Sequence, residues 1–172
     1  MNDPDFQSLL RQSGWCILPA IIPTREVNHL KSEIVALVKN LNPGNAVEKA
    51  EAKLLGLSGV INYSQSVVKY ILDKGMITLV EALLGSSARI SSIVAIITRP
   101  GNGRGGWHAD WPFDQKCLGA IRAPYPPMMA QLTTVWMLSP FTQENGGTLI
   151  LPNTHTFGSN PTADIRSEEP HV

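Results

Sequence analysis

Apolar residues in the first half of the chain recur three or four positions apart, which is the spacing of one helix face. The first run begins after Thr24, a residue that can cap a helix, and an Asn-Pro-Gly sequence at positions 42–44 ends it. Its apolar members are Val27, Leu30, Ile34, Leu37, Val38 and Leu41. This pattern predicts one amphipathic helix.

A second helical pattern covers positions 66–84, and Gly85 stands where a C-terminal cap is expected. Gly75 interrupts its middle, so the pattern also allows two shorter helices. Between the two helical patterns, positions 46–65 mix charged residues with glycine and asparagine. We expect a short helix and a loop there.

The second half of the chain changes to β-branched and alternating residues, which are typical of strands. Positions 90–98, 129–138 and 148–151 have this character. The first two are separated by a stretch rich in glycine and proline, where a loop-borne site would lie on a β scaffold. Helices first and strands second predict an α+β fold, with helices packed on a sheet or barrel.

Length and charge narrow the possible functions. The chain has 172 residues, of which 43% are apolar, enough for one core and one domain over positions 1–172, with a polar tail from 159. Fourteen basic and 14 acidic residues leave no field that would attract a nucleic acid. The apolar stretch at 15–22 is too short to span a membrane. Cys16 and Cys117 form no CxxC pair, which favours a reducing, cytoplasmic location.

The densest group of chemically capable side chains is the sequence WHADWP at positions 107–112. If this stretch is extended, His108 and Asp110 point to the same side. One imidazole and one carboxylate are two of the three ligands in a 2-His-1-carboxylate iron site. The alternative is a hydrogen-bonded pair that binds no metal, and the short motif does not decide between them.

A second motif follows at positions 144–155, ENGGTLILPNTH. By itself it predicts a turn at Asn145-Gly146, a short strand and a further turn. Together the two motifs resemble the HxD strand and the "ENG, strand, PGSH" segment of the phytanoyl-CoA dioxygenase family, in the family's order. Asn153 and Thr154 stand where the family usually has Gly and Ser. The resemblance covers about positions 5–158.

This resemblance implies a double-stranded β-helix, a jelly-roll barrel with helices outside and a metal in its mouth. It implies an Fe(II)- and 2-oxoglutarate-dependent dioxygenase, an oxidoreductase that hydroxylates a C–H bond of a small organic substrate and is assayed with ascorbate as reductant. His108 and Asp110 would be iron ligands. Trp136 would face the cofactor in the pocket, or would simply fill the core. The oligomeric state stays open.

The third iron ligand is the weak part of the resemblance. In the family a later strand carries the second histidine, and an arginine beyond it binds 2-oxoglutarate. His155 is a possible third ligand because Arg166 follows it at a spacing similar to that between the family's second histidine and its arginine. However, His155 aligns with a histidine that lies in a turn in the family. His171 has no strand pattern around it. We therefore expect either a fragment of a longer protein or a degenerate member, and the rival hypothesis is a non-catalytic jelly-roll binding module.

Overall fold

Helices and a small sheet make up the regular structure of residues 5–41, 54–103, 105–111, 123–159 and 161, the part of the protein that the computed structural model describes. In order, the elements are α1 (Phe6–Ser13), α2 (Thr24–Asn40), β1 (Leu54–Ser58), α3 (Val68–Ile71), α4 (Lys74–Leu84) and β2 (Val94–Thr98). Short 3-10 turns lie at Val60–Asn62 and Thr154–Thr156. No helix in these ranges is long and apolar enough to cross a bilayer.

Helix α2 supplies one side of the core. Its buried residues are Leu30, Ile34 and Val38, all on the face that the apolar spacing predicts. Ile34 and Val38 form a buried cluster with Leu57 of β1 and with Val60. The predicted amphipathic helix is thus confirmed, and it covers one face of the sheet.

The helical pattern at 66–84 divides into α3 and α4, as one of the two alternatives expected. The division comes from Asp73, whose side chain accepts hydrogen bonds from the backbone N–H groups of Gly75 and Met76 and so begins α4. Gly75 lies in the first turn after this cap. At the other end, the Gly85 N–H donates to the Glu81 carbonyl with φ at 83°, which confirms the predicted cap.

Strand β1 corrects one expectation and β2 refines another. The two strands pair antiparallel, with Leu55 opposite Ile97 and Leu57 opposite Ala95. Leu55, Leu57, Ala95 and Ile97 pack toward the core on the α2 side. The sequence predicts only a short helix and a loop at positions 46–65, and for Leu54–Ser58 this prediction is wrong. The strand was missed because five residues with one glycine are too weak a pattern to indicate it. The strand expected at 90–98 begins only at Val94.

The strands predicted at 129–138 and 148–151 are absent as hydrogen-bonded strands in the described residues, whose sheet has two strands. Within the first segment, Gln131 donates to Thr133 and Trp136 donates to Thr134, so side chains two positions apart meet as on an extended backbone. Alternation therefore did not lead to a hydrogen-bonded strand among the described residues. The described architecture is a mixture of helices and a small sheet.

Candidate metal centre

The imidazole of His108 and the carboxylate of Asp110 lie together. His108 Nε2 is 3.4 Å from Asp110 Oδ1, and their side chains are 62% and 44% exposed. Residues 107–110 belong to no helix or strand of the described part of the chain, yet exposure alternates, with Trp107 and Ala109 less exposed than the pair. The i, i+2 convergence predicted from the sequence is therefore present on an irregular backbone.

The other ring nitrogen of His108 has a defined neighbour. Nδ1 lies 3.3 Å from the carbonyl oxygen of Gly106. Because a carbonyl oxygen only accepts, a hydrogen on Nδ1 would make this bond, and Nε2 would then be the nitrogen that could bind a metal. Histidines that bind metals are commonly oriented by such a bond from the second nitrogen.

The ENGG sequence forms a self-contained turn. The Asn145 side chain accepts a hydrogen bond from the Thr142 N–H at 2.9 Å and donates to the Pro140 carbonyl. The Gly147 N–H closes the turn on the Thr142 carbonyl at 3.0 Å. A hydrogen bond from the Thr142 hydroxyl also lowers the pKa of Glu144. The predicted turn is confirmed, and Asn145 holds it through its side chain.

Comparison with known proteins places these two motifs in one family. The sequence profile of the family described as phytanoyl-CoA dioxygenase matches residues 10–171, nearly the whole chain. This protein belongs to the phytanoyl-CoA dioxygenase family. It is also 24% identical over 165 residues to a protein named "Dioxygenase af480" from Aspergillus fumigatus, covering 91% of this chain and 50% of that protein. The chain thus spans about half the length of this curated relative. No solved structure matches the chain.

The paired donors of this phytanoyl-CoA dioxygenase family member fit two neighbouring positions on a metal ion. Donors at adjacent corners of an octahedron with bonds of about 2.1 Å are about 3 Å apart. The 3.4 Å between Nε2 and Oδ1 is close to this value, and both side chains are open to solvent. A nitrogen and a carboxylate oxygen also have the donor chemistry of a non-haem iron site.

The described ranges bring no third donor to the pair, since they contain no group of three His, Cys, Asp or Glu side chains arranged to hold a metal. His155 lies against the end of α1 instead. Its Nε2 is 3.0 Å from the Arg11 carbonyl oxygen, and its ring packs on Gly14. His171 and Arg166 lie outside the described residues.

Two further aromatic residues, Trp136 and Tyr125, have defined neighbours. Trp136, predicted to face the cofactor, is half-buried, and its indole N–H donates to Thr134 Oγ1 at 3.1 Å. Its cofactor role stays a prediction. Tyr125, which the sequence did not single out, meets Trp111 edge to face with ring centroids 6.2 Å apart. The signal available was an aromatic residue within the Pro-Tyr-Pro-Pro sequence at 124–127.

Proposed function

We propose that this protein is an Fe(II)- and 2-oxoglutarate-dependent dioxygenase of small organic substrates, and that His108 and Asp110 are two of its iron ligands. The observation that carries the proposal is the HxD pair itself, with donor atoms 3.4 Å apart in a member of the phytanoyl-CoA dioxygenase family. The printed name of the fungal relative, a dioxygenase, supports the same class of reaction.

Each residue of the pair has a distinct task. The Asp110 carboxylate would offset the charge of the ion, and the Nε2 lone pair of His108, oriented by the Gly106 carbonyl, would bind beside it. A bound Fe(II) with 2-oxoglutarate supplies oxidation of a C–H bond by dioxygen, coupled to loss of carbon dioxide and formation of succinate. The exposure of both side chains leaves room for these small molecules.

The finer features of the family belong to the same proposal. We infer that the protein folds as a double-stranded β-helix around this pair and works in the cytoplasm. In the alternating segment at 129–138, side chains two positions apart bond to each other, as they would on a strand of such a barrel. Trp136 would then face the cofactor.

Anaerobic equilibrium dialysis with Fe(II) tests the ligands. We expect wild type to bind Fe(II) weakly, because two donors make few coordinate bonds, and His108→Ala or Asp110→Ala to abolish binding while the chain stays folded. His29→Ala, an exposed histidine on α2, serves as the matched control and should bind as wild type does. Equal Fe(II) binding by wild type and Asp110→Ala would overturn the assignment.

Succinate release from 2-oxoglutarate, with Fe(II) and ascorbate, tests turnover. We expect no turnover from two donors without a third, and the described residues bring none to the pair. We expect His155→Ala to leave Fe(II) binding unchanged, because this ring is engaged by α1. Turnover that disappears in His155→Ala would make His155 the third ligand. Iron binding without turnover in any longer form of the protein would favour a non-catalytic binding module.

A further inference from the structure

A series of contacts connects Asp110 to another loop of the protein. Trp111 follows Asp110 directly, and its ring meets the Tyr125 ring at an interplanar angle of 65°. The backbone N–H of Tyr125 donates to the Gly158 carbonyl at 2.8 Å. Both rings are partly buried. The carboxylate of the metal pair is thus one residue away from an aromatic contact that is itself fixed to the chain at Gly158.

At Gly158 the chain lies in close contact with the segment that contains Pro124 and Tyr125. A Cβ built on Gly158 would lie 3.3 Å from Pro124 Cβ and 3.5 Å from the Tyr125 nitrogen, so the two segments lie flat against each other. The segment before Gly158 is tied to α1, because the Asn153 N–H donates to the Ser13 carbonyl at 2.9 Å. Tyr125 is therefore held on a part of the molecule that reaches the first helix.

Residues 105–111 belong to no helix or strand among the described residues. The direction of the Asp110 side chain therefore depends on the contacts that individual residues of this segment make. An edge-to-face ring pair restricts both distance and angle, which a general apolar contact does not. The Trp111 ring is well placed to hold the backbone at Asp110.

We propose that Tyr125 is a positioning residue for the metal pair: its ring holds Trp111, and through Trp111 it keeps the Asp110 carboxylate beside His108. This inference rests on the proposed function, since it takes the pair to be metal ligands. Tyr125 touches neither ligand itself and acts through its neighbour. Its hydroxyl is not needed for this role, but its ring is.

Co(II) is the probe, with the dissociation constant measured by equilibrium dialysis and the ligand set followed by visible absorption of the bound ion. Tyr125→Leu should weaken Co(II) binding about threefold to tenfold, the range expected if the energy of one aromatic pair preorganises the site. Tyr125→Phe keeps the ring and should bind as wild type does. Tyr63→Leu, at a tyrosine that is 52% exposed, is the control for loss of a tyrosine elsewhere.

A double-mutant cycle separates positioning from general damage. Trp111→Leu should weaken binding by a similar factor, and adding Tyr125→Leu should weaken it little further, because the contact is already lost. If Tyr125→Leu does not fold, the comparison of Trp111→Leu with Trp111→Phe decides: equal Co(II) affinity of these two overturns the inference. So does wild-type affinity in a folded Tyr125→Leu. Failure of wild type to bind Co(II) through His108 would instead overturn the proposed function.

Discussion

Gly14 ends α1 at a point where His155 leaves no room for a side chain. Gly14 has φ at 81°, and a Cβ there would lie 2.6 Å from His155 Cγ and 2.8 Å from His155 Cβ. Gly85 ends α4 with φ at 83° and has nothing within 4 Å of such a Cβ. We expect Gly85→Ala to lower the free energy of unfolding by about 1–3 kcal/mol, because φ at 83° with ψ at 164° is a conformation almost confined to glycine. Gly14→Ala should cost about 1–2 kcal/mol for its left-handed conformation and about 1–3 kcal/mol more for the overlap with His155.

Urea denaturation measures both changes, and a third variant identifies the cause. Replacing His155 by alanine in the Gly14→Ala background removes the ring and should recover part of the loss. No recovery in this double variant would show that His155 moves aside freely, and would remove this support for its structural role.

At Gly147 a side chain is excluded by the neighbouring backbone and not by the φ angle. A Cβ there would lie 3.2 Å from the Thr142 nitrogen and 3.3 Å from the Phe141 carbonyl carbon, which the turn cannot move without breaking its own hydrogen bonds. Gly147→Ala should cost about 1–3 kcal/mol of stability. Gly103→Ala, with open space around its Cβ, should cost little. Thermal unfolding of the pair checks this, and indistinguishable midpoints would contradict it.

At the level of elements, α2 and α3 are joined by Glu26. Its carboxylate accepts hydrogen bonds from the Lys69 ammonium and the Tyr70 hydroxyl. These bonds, Lys69 first and Tyr70 second, lower the pKa of Glu26. A carboxylate whose pKa is lowered on folding stabilises the protein above its unfolded pKa of about 4.3, and this stabilisation is lost as the pH falls through the folded value.

Glu26→Gln should therefore lower the melting temperature near neutral pH, and the difference from wild type should shrink as the pH falls below about 4.3. Differential scanning fluorimetry across this range measures it. Glu81→Gln, at an exposed position on α4 away from this contact, is the matched control for loss of a surface carboxylate. A Glu26→Gln difference that grows toward acid pH would reverse the assigned sign.

The helices could be predicted and most of the strand positions could not. A helix such as α2 is stabilised by bonds four residues apart, so its period is visible in a short window. A strand needs a partner from elsewhere in the chain. β1 pairs with β2 across about forty residues, while 129–138 alternates equally well and finds no partner among the described residues. Pairing, unlike alternation, is not a local property.

At the scale of the whole molecule, the sheet has one covered and one open face. Ile96 on the open face is 65% exposed, while its neighbour Ile97 packs toward α2. Exposed apolar strands favour association between chains. We expect Ile96→Lys to reduce concentration-dependent light scattering with little change in stability. Ile97→Lys, the control on the other face, should unfold the protein. Unchanged light scattering in Ile96→Lys would show that the chains associate through another surface.

The candidate site was predictable to the same extent as the elements. His108 and Asp110 are two residues apart, so their convergence follows from local geometry. Tyr125 reaches Trp111 from fourteen positions away, and His155 reaches the Arg11 carbonyl from 144 positions away. Such contacts depend on how the whole chain folds back on itself, and no spacing rule contains them.

The contact between His155 and α1 also sets an order of events during synthesis. Helix α1 leaves the ribosome long before position 155 exists, and closing so large a loop costs more entropy than closing a local one. The Arg11 and Ser13 carbonyls therefore gain their partners only after positions 153–155 have been synthesised. Helix α1 can pack on α4 earlier, through the bond from the Arg11 guanidinium to the Ala82 carbonyl. We expect docking of the turn at 153–155 to be a late step of folding, and the amide hydrogen of Asn153, bonded to the Ser13 carbonyl, should report its completion by becoming protected from exchange.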